Sequence, residues 1–131
     1  MGTIRPKSVA QHIVVSLWVC AFVVGTVSHA LDIVRGGWLP YTRYALGLNL
    51  FWTALTFADP LAVFLLIYRR RAGVYVALSI ISIDVAVNSA VGVGEFVKSG
   101  HFTFWGLYTQ VPVGVFMWTT APMLEAGDRV R

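Results

Sequence analysis

Charged residues are scarce in this chain, and their scarcity argues against a soluble fold. Of its 131 residues only 12% are Asp, Glu, Lys or Arg, whereas 57% are hydrophobic. A soluble domain carries about 25% charged residues, because its surface must stay solvated. Half of that charge together with a large apolar excess is typical of an integral membrane protein.

Cysteines and catalytic signatures are also scarce. Cys20 is the one cysteine and lies in an apolar run, which excludes an intrachain disulfide and a cysteine-cluster metal site. The three histidines are far apart in the sequence, so their spacing predicts no metal site. The sequence has no G-x-S-x-G, phosphate-binding loop or metalloprotease motif. We therefore expect no catalytic residue, metal or cofactor, and the pattern favours a function other than catalysis.

Basic residues outnumber acidic ones by ten to six, which gives a formal net charge of +4. They occupy the gaps between apolar runs, where anchors at a membrane surface are found. The basic balance therefore indicates the lipid bilayer as a partner, and not nucleic acid.

Four apolar runs organise the chain, at approximately residues 12–31, 46–68, 73–93 and 102–124. Each is long enough to cross a hydrocarbon core of about 30 Å as a helix. The sequence predicts a single all-α membrane domain over residues 1–131, an integral membrane four-helix bundle.

The first run has a rival interpretation. A basic start, an apolar run and small residues at Ser28 and Ala30 also resemble a cleaved secretory signal. The run is long for a signal, and Trp18 and Phe22 give it packing bulk. We expect an uncleaved helix.

The basic residues also predict the orientation. The three arginines at 69–71 fill a very short loop and mark the cytoplasmic side. An orientation with both termini cytoplasmic places most basic residues inside: Arg5, Lys7, Arg69, Arg70, Arg71, Arg129 and Arg131, against Arg35, Arg43 and Lys98 outside. We expect both termini in the cytoplasm and a multi-pass protein of the cell (inner) membrane.

Asp59 and Asp84 are the sharpest functional signals. An Asp at the centre of a spanning helix costs about 2.5–3.5 kcal/mol, so it is expected to pair internally or to serve a function. Counted from the cytoplasmic ends, Asp59 lies about 14 Å deep and Asp84 about 17 Å deep. Their helices are joined by the short arginine loop, so the two carboxylates are predicted to share a pocket. Pro60 offers a structural alternative for Asp59, because proline frees a backbone carbonyl in the preceding turn.

Other polar residues fall at compatible depths in the runs. Asn49, Thr53 and Asp59 lie on one stripe of the second run, and Asn88 lies one turn after Asp84. With Gln110 of the fourth run, these residues are candidates for the lining of a cavity that opens outward, and Trp52 is a candidate for stacking on a ligand. Packing between helices is the alternative for the amides, and packing in the core is the favoured interpretation of Trp52.

His29 and Asp32 lie one turn apart at the outer end of the first run. This spacing permits a hydrogen bond and would suit a pH-sensitive gate or a metal ligand, and both residues are also candidates for ligand binding. A solvated helix end is the alternative.

The chain resembles the EXPERA families, the group of the sigma-2 receptor and the sterol isomerases. The resemblance rests on three segments: Ser28-His29 through Asp32, Leu50-Phe51 with residues 57–60, and Leu107-Tyr108 before a proline-containing run. It implies a membrane bundle around a pocket for sterol-like or amphipathic amine ligands, with Asp32 as the first pocket acid. The acid of the family's second span, expected near Thr53, is missing, as is the His and Glu pair of the isomerases, which argues against sterol isomerisation.

These patterns favour one function over two rivals. The favoured function is the binding or passage of a small hydrophobic or cationic molecule in an internal polar pocket. The rivals are a proton- or ion-coupled transport subunit and a structural subunit of a larger membrane complex. A homo-oligomer or a membrane complex is compatible with each of the three.

Overall fold

The chain is all-helical in the ranges that the computed structural model describes, residues 8–101 and 105–126. These ranges form four helices: α1 Val9–Gly36, α2 Leu46–Tyr68, α3 Arg70–Ser99 and α4 Trp105–Ala126. Each helix overlaps one of the predicted runs. Residues 102–104 of the fourth run and the basic residues Arg5, Lys7, Arg129 and Arg131, which entered the orientation, lie outside the described residues.

Helices α1 and α3 extend beyond their apolar runs, and local capping explains where they end. The Gln11 backbone N–H donates to Ser8 Oγ and the Ser8 N–H donates to Gln11 Oε1, both at 3.2 Å, which is a capping box at the start of α1. Gly37 and Gly100 follow the two helices with φ of 82° and 73°, a region that glycine adopts without strain.

Helices α2 and α3 are joined by Arg69 alone. Gly73 permits this tight connection, since a Cβ atom at this position would collide with the backbone of Leu65 and Leu66. The two helices are therefore held antiparallel and adjacent, as the short arginine loop predicted.

Three helices, α1, α2 and α3, are long and apolar enough to cross a membrane. Among the described helices α4 does not meet this criterion; its sequence contains Thr109, Gln110, Pro112, Thr119 and Thr120. The prediction of apolar helices of spanning length is thus confirmed for three of the four runs.

Each helix packs against the next, and α4 also contacts α1. One end of this bundle is filled by apolar side chains. Trp18, Leu66, Val74 and Leu124, one from each helix, are each less than 2% exposed. We call this end, which includes the turn at Arg69, the turn half. The other end contains the cavity described next, and we call it the cavity half.

Candidate ligand-binding cavity

A cavity of about 660 Å³ occupies the cavity half. All four helices and the loop between α1 and α2 contribute to its lining. Its volume falls in the range of about 300–1,000 Å³ that is usual for pockets that bind small molecules. Most of the lining is apolar or aromatic, so the few polar side chains determine what the cavity can bind.

Asp59 is the most unusual of the polar lining residues. Its side chain is only 4% exposed and lines the cavity. It packs against Gly25 of α1, where a Cβ atom would collide with the Asp59 carboxylate. Within residues 8–101 and 105–126 it has no hydrogen-bond partner, so it does not satisfy backbone groups freed by Pro60. A buried carboxylate without a partner is costly, unless a ligand or a proton completes it.

Asp84 differs from Asp59 because it belongs to a hydrogen-bonded chain. The Asn88 amide donates to Asp84 Oδ1 at 2.8 Å, and the Trp52 indole N–H donates to Asn88 Oδ1 at 3.1 Å. All three residues are buried and line the cavity. These two hydrogen bonds link α2 to α3 and fix the orientation of the Asp84 carboxylate.

His29 and Asp32 do not form a direct pair, because Tyr41 lies between them. The Tyr41 hydroxyl donates to Asp32 Oδ2 at 2.8 Å, and His29 Nδ1 lies 2.7 Å from the same hydroxyl oxygen. Since the hydroxyl hydrogen is used on Asp32, His29 is the donor in the second bond. Burial, followed by the hydrogen bond to Asp32, raises the pKa of Tyr41 above its usual range, so the phenol stays a donor.

Asn49 and Thr53 do not line the cavity. The Asn49 amide instead binds the loop between α1 and α2. It donates a hydrogen bond to the Leu39 carbonyl at 3.1 Å and accepts one from the Tyr41 backbone N–H at 3.2 Å. The Thr53 hydroxyl donates to the same Asn49 oxygen at 3.4 Å. Asn49 therefore holds in place the loop that carries Tyr41.

Gln110 lines the cavity from α4, so the structure brings together seven of the nine candidates: Asp59, Asp84, Asn88, Gln110, Trp52, Asp32 and His29. Sequence reasoning missed Tyr41 and Tyr44, whose rings pack edge-on against Trp52 at centroid distances of 5.3 and 4.9 Å. It also missed Gly25, although Gly25 lies one turn before His29 on the same face of α1.

The lining is rich in acidic groups. Asp32, Asp59 and Asp84 contribute carboxylates, and no lysine or arginine is found among the described residues that surround the cavity. The aromatic rings of Tyr41, Tyr44, Trp52 and Trp105 add π faces that attract cations. The cavity therefore favours a positive group and disfavours an anion.

The fold and the cavity together define a class: a protein whose described residues form only helices, with three helices of membrane-spanning character and an acidic, aromatic-walled cavity. No family model, curated protein or solved structure matches the chain. No group of three metal-ligating side chains is present in the described part of the chain.

Proposed function

We propose that this chain is a multi-pass membrane protein whose cavity binds, or passes, a small hydrophobic or cationic molecule. The single observation that carries the proposal is Asp59, a carboxylate that is 4% exposed, lines the cavity and has no partner in the described ranges. A ligand with a positive group would donate a hydrogen bond to this carboxylate, and the apolar lining would contact the rest of the ligand.

The proposal includes four spanning helices in the cell (inner) membrane with both termini in the cytoplasm. The basic residues at 69–71 support this orientation, and the hydropathy of α1, α2 and α3 supports insertion. The fourth span rests on the packing of α4 against α3 and α1. Membership of the EXPERA group is a further part of the proposal, supported by Asp32 in the cavity lining.

The orientation has a direct test. In a Cys20→Ser background, a cysteine introduced at Arg70 should resist a membrane-impermeant thiol reagent in intact cells and react after permeabilisation. Efficient labelling in intact cells would overturn the orientation.

Ligand binding can be followed at Cys20, the native cysteine, because it is exposed and lines the cavity. Octylamine, protonated at neutral pH, should slow alkylation of Cys20 in the purified protein, and octanol, its neutral counterpart, should slow it less. Asp59→Asn should remove the difference, whereas Glu95→Gln, which changes an acid outside the lining, should preserve it. Equal protection by both probes in the unmodified protein would leave only a hydrophobic ligand.

Proton-coupled transport is the second candidate, and the presence of Asp59 and Asp84 in one cavity favours it. It requires cargo movement that depends on pH and membrane potential, which proteoliposomes with an imposed proton gradient would detect. Cargo uptake that ignores the gradient would remove this candidate and leave simple binding.

A further inference from the structure

The three carboxylates of the cavity lie at different levels along the bundle. Asp59 packs against Gly25 of α1, and Asp32 follows Gly25 by seven positions on the same helix. At 1.5 Å per residue this separation is about 10 Å along the helix axis. One carboxylate therefore lies deep in the cavity and another about 10 Å nearer the loop that carries Tyr41.

Asp84 lies between these two levels. It is one turn before Asn88 on α3, and Asn88 is bonded to Trp52, seven positions before Asp59 on α2. Because α2 and α3 are antiparallel, Asp84 is closer to the level of Asp59 than Asn88 is. The carboxyl groups are thus spread along the cavity and not gathered at one point.

The two end carboxylates both have capacity for a ligand. Asp59 is 4% exposed and has no partner among the residues described. Asp32 uses Oδ2 to accept from Tyr41, and the structure shows no hydrogen bond to its Oδ1 in the described ranges. An ionised carboxylate has about four acceptor sites, so each can take an ammonium donor.

The wall between the two ends combines aromatic and polar side chains. Ser28 and His29 of α1 lie between the two levels, and the ring of Trp52 from α2 also lines the cavity. Aromatic rings offer apolar surface to methylene groups and π faces to ammonium groups. No lysine or arginine of the described chain lines the cavity, so a carboxylate at either end of a ligand would lack a cationic partner.

We infer that the ligand of this cavity is a linear diamine or polyamine, with one ammonium group at Asp59 and another at Asp32 about 10 Å away. The inference rests on the proposed function and deepens it, because it specifies two charges and their separation.

The test uses the full chain in detergent and a series of amines of one type. Calorimetry would compare diaminobutane, diaminooctane and diaminododecane with octylamine. Diaminooctane, whose extended length is nearest the axial separation, should bind most tightly, and it should exceed octylamine by about tenfold or more for its second charged hydrogen bond.

Variants then test which carboxylate binds each ammonium group. Asp32→Asn and Asp59→Asn should each reduce diaminooctane affinity to that of octylamine, and Glu95→Gln should keep the full difference. Melting temperatures without ligand, measured for each variant, separate loss of binding from loss of folding. A variant that no longer folds would be replaced by the length series in the unmodified protein, which decides the question alone.

Three results would overturn the inference in different ways. If octylamine equals diaminooctane, the two-charge ligand is wrong and the proposed binding function survives. If affinity rises steadily with chain length without an optimum, apolar burial alone explains binding. If none of the amines nor octanol binds, both the inference and the proposed function fail.

Discussion

The two halves of the bundle use the same four helices in opposite ways. In the turn half, Trp18 is fully buried, its indole N–H donates to Thr120 Oγ1 at 3.0 Å, and Gly73 brings two backbones into contact. In the cavity half, Asp59 and Asp84 are almost as buried, but they surround a space of about 660 Å³.

Stability and the proposed function are therefore separated along the helices. Apolar packing in the turn half supplies the contacts that hold the helices together. The cavity half keeps costly polar groups, which a protein selected for stability alone would replace by apolar ones. Substitutions in the two halves should therefore have different effects.

The largest expected effect is in the turn half. Trp18→Ala removes the largest fully buried side chain and leaves a void, which should cost about 3–5 kcal/mol of unfolding free energy. Leu17→Ala is the control, because Leu17 is 49% exposed and faces away from the core. Unfolding in mixed detergent micelles would measure both. Equal loss for the two variants would show that the turn half is not the stabilising core.

Gly73→Ala should also affect stability. Its Cβ would collide with the backbone of Leu65 and Leu66, and backbone cannot move aside as a side chain can. We expect a loss of about 1–3 kcal/mol in the same unfolding experiment. Gly47→Ala is the matched control, because nothing lies within 4 Å of its added Cβ. An unchanged melting temperature for Gly73→Ala would contradict the close approach of α2 and α3.

Asp84→Asn should affect binding more than folding. The new amide oxygen can still accept a hydrogen bond from Asn88, and the hydrogen bond from Trp52 to Asn88 is unaffected. Stability should therefore stay nearly unchanged. Loss of the charge should weaken binding of a cationic probe by about 1.4 kcal/mol, or tenfold. Calorimetry with octylamine and a melting curve would measure both. A lowered melting temperature with unchanged affinity would favour the structural subunit.

Tyr41→Phe should lower stability less than Trp18→Ala or Gly73→Ala does. It removes the bonds to His29 and Asp32, for a loss of about 1 kcal/mol at neutral pH. Because burial raises the pKa of Tyr41, the folded chain keeps a proton that the unfolded chain releases above about pH 10. The contribution of Tyr41 to stability is therefore full below that pH and declines as the pH rises above it.

Melting temperatures measured across this range would test the Tyr41 assignment. The unmodified protein should lose stability above about pH 10 more steeply than Tyr41→Phe does. Tyr68→Phe, at the exposed end of α2, should follow the unmodified protein. Identical profiles for all three would show that the Tyr41 hydroxyl is not buried.

Much of this organisation could be read from the sequence. Apolar runs gave the helices, and the short arginine loop gave the antiparallel pairing of α2 and α3, because both follow from local chain properties. The placement of Asp59 against Gly25, and of Tyr41 between His29 and Asp32, depends on how α1 packs on α2. Such contacts join residues that are distant in the sequence, and the local pattern of apolar and polar residues does not predict them. The predicted stripe of Asn49, Thr53 and Asp59 therefore does not act as one surface. Asp59 lines the cavity, whereas Asn49 binds the loop between α1 and α2.

Under the proposed function, Asp59 is present for a ligand and not for the fold. The most direct test is a paired measurement on Asp59→Asn: the melting temperature without ligand and the affinity for octylamine. Because the carboxylate has no partner in the described ranges, removing its charge should leave the melting temperature equal or higher. The affinity should fall by about tenfold or more. A lower melting temperature with unchanged affinity would contradict the claim and assign Asp59 to the architecture of the bundle.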